Sequence, residues 1–291
     1  MTVTVRPDHV IYAVEDLDAV IDAFEEQGFT VTRGGELGPL HNALIPFDDG
    51  TYLELLATRP TLAGWVAATV FRIGPVVRLL GRRQPLMTMA PAFVSARGLV
   101  MWAIRTTPIE EYVTAVDNEG ISMGPIEEGG RTRPDGRTAR WASARPFEPT
   151  LPFCIQDRTD MRLRIPTSEA TEHANGVVGI ETITVGVENL SRAVETYSVV
   201  FRTDPGRVTP TEAAYDLDGW TVRLRTADAD ADADGDVEDD DSADADDVSV
   251  SRRLREDGPG LAAITFARAD GATGRVPTEL AGRRLRISSD S

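Results

Sequence analysis

The chain has 291 residues, 41% of them hydrophobic and 26% charged, with 47 acidic against 30 basic residues and a net charge of −17. This is ordinary globular usage, long enough for about two domains with a core that needs no cross-links, and the single cysteine, Cys154, excludes an internal disulfide framework. No uncharged apolar run reaches the roughly 18 residues of a membrane span, the first residues lack the layout of a secretion signal, and an acidic chain has no electrostatic footprint for nucleic acid; the expectation is a soluble, cytoplasmic protein.

The acidity is local. Residues 228–247 hold eleven Asp and one Glu, and without those twelve the balance falls to −5. Every basic residue is Arg and none is Lys. A salt-rich, halophilic cytoplasm favours such usage, and a GC-biased genome also replaces Lys by Arg.

Taken in order, residues 9–14 read as a strand. Asp16 can cap a helix whose apolar stripe is Leu17, Val20, Ile21 and Phe24, stopped at Gly28. Residues 29–32 read as a strand, and a turn through Gly34, Gly35 and Gly38 leads to a strand at 42–47. The turn Asp48-Asp49-Gly50 then opens a strand at 51–57. This is a β-α-β-β-β unit. It recurs with a strand at 99–105, a helical stripe of Ile109, Tyr112, Val113 and Val116 stopped at Gly120, and strands at 138–144 and 151–156. A third copy begins at 179–187, and there the letters match too: Val187-Glu188-Asn189-Leu190 repeats Val14-Glu15-Asp16-Leu17. Strands at 213–217 and 220–226 complete it, and strands at 261–267 and 284–287 read as remnants of a fourth unit. The fold class is therefore α+β: tandem βαβββ modules forming a curved mixed-sheet cup, with a second, smaller degenerate module pair. The domains are 1–165 (two modules with a helical insert at 58–95), a linker at 166–178, and 179–291 with a disordered acidic insert at 227–247. Residues 248–255 are expected to recover a turn or helix.

The wording of the first module goes beyond pattern. Asp8-His9-Val10-Ile11-Tyr12-Ala13-Val14-Glu15-Asp16-Leu17, then Gly34-Gly35, His41-Asn42-Ala43-Leu44-Ile45-Pro46-Phe47 and Asp49-Gly50-Thr51-Tyr52-Leu53-Glu54-Leu55 resemble the glyoxalase-like domain family of the vicinal oxygen chelate superfamily. Arg131-Thr132-Arg133-Pro134-Asp135-Gly136 with Trp141, and Pro152-Phe153-Cys154-Ile155-Gln156, resemble its second half. The resemblance implies that two modules pair their sheets into a cup, with metal ligands on the first and fourth strand of each. A metal there acts as a Lewis acid on vicinal oxygens. The superfamily spans glyoxalase I, extradiol dioxygenases, epimerases, fosfomycin-resistance enzymes and metal-free drug-binding proteins, so the fold alone does not choose a reaction.

On that resemblance the ligand positions are His9, Glu54 and Gln156, for a divalent metal such as Zn, Fe, Mn or Ni. Imidazole and carboxylate suit such ions, but His9 and Glu54 can equally hydrogen-bond each other with no metal. Position 9 is matched in the second module by Leu99 or Met101, neither a hard ligand. Glu54 and His41 are the candidate catalytic residues. Asn42, Tyr52, Arg131, Arg133 and Trp141 are the candidate substrate contacts, the arginines suiting a carboxylate. Cys154 reads as buried and inert, His173 as exposed in a polar linker, and the EF-hand-like spacing of Asp230, Asp232, Asp234 and Asp236 as a by-product of alternating Ala and Asp. The expected function is a metal-dependent lyase, isomerase or dioxygenase acting on a small oxygenated substrate. The alternative is a metal-free protein that sequesters a small molecule in the same cup. The expected partners are a small-molecule ligand and a second copy in a homodimer, with no nucleic acid and no membrane.

Overall fold

The computed structural model describes residues 3–37, 40–58, 98–133, 135–227, 245–256, 258–269 and 286–287. The helical insert (apart from Thr58), most of the acidic insert and its EF-hand-like spacing lie outside the described residues. No described helix is long and apolar enough to cross a membrane.

The first module is β1 (Thr4–Val14), α1 (Leu17–Glu26), β2 (Thr32–Leu37), β3 (Leu40–Pro46) and β4 (Tyr52–Thr58). The second is β5 (Gly98–Thr107), α2 (Ile109–Asn118), β6 (Glu127–Thr132), β7 (Thr138–Ala144) and β8 (Phe153–Asp157). Their strands form one curled eight-stranded sheet in the order β2-β3-β4-β1-β5-β8-β7-β6. β1 runs parallel to β4 and antiparallel to β5, which joins the modules edge to edge. After two 3-10 turns come β9 (Val177–Gly186), α3 (Leu190–Phe201), β10 (Arg207–Val208), β11 (Glu212–Leu217), β12 (Trp220–Arg225), α4 (Ala245–Glu256), β13 (Gly260–Arg268) and β14 (Arg286–Ile287). These strands make a second, six-stranded sheet, β10-β11-β12-β9-β13-β14.

Local chemistry accounts for the repeat. The Asp16 carboxylate accepts from the Ala19 N–H at 3.1 Å, and the Asn189 side chain does the same for Arg192 at 2.9 Å, so α1 and α3 start on equivalent caps. Gly28 follows α1 with φ of 84°, a left-handed value that glycine adopts without strain. Three local expectations change. Gly34 and Gly35 lie inside β2 rather than in a turn, β6 is an additional strand, and α4 begins at Ala245, before position 248.

Alternation along the strands divides the first sheet into two faces. Val10, Tyr12, Leu53, Leu55, Trp102, Ile104 and Cys154 belong to the large core that also holds α1 and α2 and extends to Phe201 and Phe266 of the second sheet's layer. Trp102 meets Phe201 at 5.8 Å between ring centroids, and Phe47 meets Phe266 at 6.1 Å. The concave face carries a smaller cluster, Ile11, Leu56, Met101, Ala103, Phe153 and Ile155, with Trp141 packed against it. The helix-bearing face is thus the structural core.

His173, expected to be exposed, is half-buried. Its Nδ1 accepts from Thr30 N–H and its Nε2 donates to Pro46 O, both at 3.0 Å, between the rings of Phe29 and Phe47. The linker is therefore tied to the first module.

Candidate functional site

At the centre of the concave face is His9, 3% exposed. The strand around it is irregular: Pro7 pairs with Ile104 and His9 with Ala103, so Asp8 is an extra residue, a bulge. This lets two consecutive side chains meet, Asp8 Oδ1 lying 2.6 Å from His9 Nδ1. Asp8 is fully buried. Burial alone would raise its carboxyl pKa, but Arg164 and His9 hold it well below the usual carboxylate range. Arg164 reaches both of its oxygens, at 2.9 and 2.8 Å, and Arg105 Nε reaches Oδ2 at 2.9 Å. Arg164 also makes a two-point pair with Asp157, at 2.7 and 2.8 Å. An ionised Asp8 only accepts, so His9 carries its proton on Nδ1 and turns Nε2 into the cup.

Nε2 faces Glu54, whose Oε2 is 3.6 Å away, too far for a hydrogen bond. The other Glu54 oxygen accepts from Asn42 Nδ2 at 2.6 Å. Asn42 in turn lies against Gly34, where a Cβ would stand 1.9 Å from its Oδ1; the glycine in β2 makes room for it. The His9 ring stacks on Tyr52 at 4.4 Å and meets the edge of Phe153 at 5.3 Å.

The other expected site residues divide. Trp141 lies on the concave face, with its indole over Gly129. Arg131 pairs opposite Ala139, donates to Arg164 O at 2.7 Å, and is close enough to Glu54 to feel its charge. Tyr52 serves as a platform, because its hydroxyl is taken by Arg164 at 2.9 Å. Arg133 spends its donors locally, on Asp135 Oδ2 at 3.3 Å and Leu163 O at 3.2 Å.

Two expectations fail on strand parity. His41 alternates with Asn42 and falls on the face of Ala43 and Ile45, with the core, away from Glu54. Gln156 likewise shares its face with Cys154. Its amide oxygen accepts from Ile109 N–H at 2.8 Å, satisfying the first donor of α2, which begins after Pro108 and has no side-chain cap of its own. Cys154 is buried, and burial pushes its thiol up to about 12, as an inert residue requires.

The residues that reasoning from sequence missed are Asp8, Arg105, Arg145, Asp157 and Arg164. Arg145 stands beside the cup, its guanidinium 4.9 Å from the Phe153 ring centroid. Only Asp8 left a signal, as the acid next to His9.

A family model described as a glyoxalase-like domain matches residues 8–201, two thirds of the chain. The chain belongs to the glyoxalase-like domain family. Its fold is similar to that of a hypothetical protein from Staphylococcus aureus. The two are 15% identical, with a TM-score of 0.69, covering 98% of this chain and 99% of that one. It is also similar to a xylose isomerase-like TIM barrel/4-hydroxyphenylpyruvate dioxygenase fusion protein, at 11% identity and a TM-score of 0.51, over 91% of this chain and 36% of that one. No curated protein matches.

The glyoxalase-like frame makes the test of a metal explicit. The helices begin at Leu17 and Ile109, ninety-two residues apart, which sets Met101 in the place of His9. Ile11 pairs with Glu54 and its counterpart Ala103 pairs with Phe153, so Phe153 holds the place of Glu54. A metal would find His9 Nε2 and Glu54 on one side, and a thioether and a phenyl ring on the other. Among the described residues no three His, Cys, Asp or Glu gather to hold a metal ion, and residues 59–97 contain none of those four types. This donor set does not fit the expected divalent metal, because a hard ion needs nitrogen and oxygen ligands at more than two corners.

Proposed function

We propose that the protein binds a small oxygenated molecule in the cup and moves a proton at it, with His9 as the base. The observation that carries this reading is the buried Asp8–His9 pair, which favours the proton on Nδ1 and leaves Nε2 facing Glu54 on the concave face. In such a step Nε2 takes a proton from a carbon next to a carbonyl, and the electron pair passes to the carbonyl oxygen. The proton then returns from His9 or Glu54 to another face or atom. Isomerisation and lyase reactions, both within the expected range, share this step. Glu54 faces Nε2 and is pinned by Asn42, so it is placed to receive or return the proton.

Sequestration without chemistry is the second reading, and the apolar Met101 and Phe153 in the second module favour it. The test is deuterium exchange. Small 2-oxo and 2-hydroxy carbonyl compounds are incubated in D2O with the purified protein and followed by proton NMR. Exchange that falls about a hundredfold or more in a folded His9→Gln variant supports the base. Ligands that bind and return unexchanged support sequestration.

A further inference from the structure

The chain is strongly acidic, yet the cup is not. Asp8 and Asp157 are matched by Arg164 and Arg105. What remains is Glu54 and the half-exposed Glu127 beside Arg145, against two more arginines, Arg131 and Arg145. Arg131 donates to the backbone of Arg164, whose side chain holds the hydroxyl of Tyr52, the ring stacked on His9; Arg145 sits over Phe153, whose ring meets His9 at its edge.

Both arginines are incompletely satisfied. Arg131 gives one Nη to Arg164 O, and Arg145 one Nη to Glu127 at 3.5 Å; in each, the Nε is buried and has no hydrogen-bond partner among the described residues. Burial lowers the pKa of both guanidinium groups, as expected where water does not complete their solvation. An unpaired donor on a buried cation is costly, and buried polar groups are as a rule paired. An anion with a planar fork of acceptors pairs them.

We infer that the cup is built for a short carboxylate bearing a carbonyl or hydroxyl group, with Arg131 and Arg145 supplying the positive charge that receives it. This rests on the proposed use of the cup and deepens it by naming the substrate class. The Arg145 guanidinium lies 4.9 Å from the Phe153 ring centroid and that centroid 5.3 Å from the one of His9, so guanidinium and imidazole are at most about 10 Å apart, which limits how far a carboxylate on Arg145 can stand from a carbon at His9 Nε2.

The experiment uses chelator-washed full-length protein and ligand-observed NMR. The probes are short 2-oxo acids, from glyoxylate to 2-oxoglutarate, each paired with its neutral methyl ester. The acids should bind and the esters should not. Arg131→Gln and Arg145→Gln should each weaken the acids about tenfold or more, while Arg140→Gln, at an exposed position, changes nothing. If a Gln variant fails to fold, Arg131→Lys and Arg145→Lys keep the charge without the fork, and should retain the preference for acid over ester at reduced affinity. The inference is overturned if no acid binds, if esters bind as well as acids, or if both folded arginine variants bind like the parent. Selective binding without proton exchange defeats the proposed reaction and leaves this inference standing; exchange that ignores ligand charge does the reverse.

Discussion

In the first module of the eight-stranded sheet, the two central concave positions are His9 and Glu54; in the second, the corresponding positions are Met101 and Phe153. The helices stand in the same relation to their strands, yet at these positions the first module places an imidazole and a carboxylate and the second a thioether and a phenyl ring, while the ion pairs behind His9 draw on Arg105 and Asp157 of the second module as well. Repetition of a frame preserves what packs helix on sheet, and leaves the opposite face free to diverge. A symmetric metal centre needs both halves. A base pinned from behind by a carboxylate needs only one.

The strongest way to break this asymmetry is at Arg164, which is 5% exposed and pairs with Asp8, Asp157 and Tyr52. Arg164→Met leaves two carboxylates without their shared partner and should cost about 3–5 kcal/mol of stability in urea unfolding. Gly34→Ala comes next. Its Cβ would run into Asn42 Oδ1, so about 1–3 kcal/mol should be lost, and the Asn42–Glu54 bond with it. Met101→Leu, on the apolar side, is a volume-conserving change and should cost less than about 1.5 kcal/mol. If Met101→Leu proved as damaging as Arg164→Met, the division of labour between modules would be wrong.

The smallest effect concerns the linker. Burial depresses the His173 pKa, while the neutral ring serves both Thr30 and Pro46. The unfolded chain then binds the proton more readily than the folded one, so this contribution is full above the ordinary histidine range and declines as pH falls below about 6.5. Urea midpoints of the parent at pH 7.5 and 5.5 should differ more than those of His173→Gln; equal differences would remove the linker from the acid response.

Much of this was legible in the chain. The 3.6-residue stripes, the Asp16 and Asn189 caps and the stop at Gly28 are local chemistry, and the structure uses each of them. The face of a strand residue is less secure, since one step in register turns a side chain to the other side. That is why His41 and Gln156, each next to a true concave position, were misjudged. The bulge at Asp8 depends on pairing with Ala103 and Ile104, and its partner Arg164 is 156 residues away, distances that no local pattern carries. Arg131 and Trp141 lie on the concave face because a hairpin fixes its own alternation locally.

The central claim is that one half of a glyoxalase-like cup works without the other half's ligands. Metal analysis of untagged protein, after a chelator wash and dialysis against Zn, Mn, Fe and Ni in turn, addresses it most directly. The double variant Met101→His with Phe153→Glu, which restores hard donors to both empty corners, is the positive control. The account predicts well under one ion per parent chain and a clear gain in the double variant. A stoichiometric ion held by the parent, and lost in His9→Gln, would contradict it.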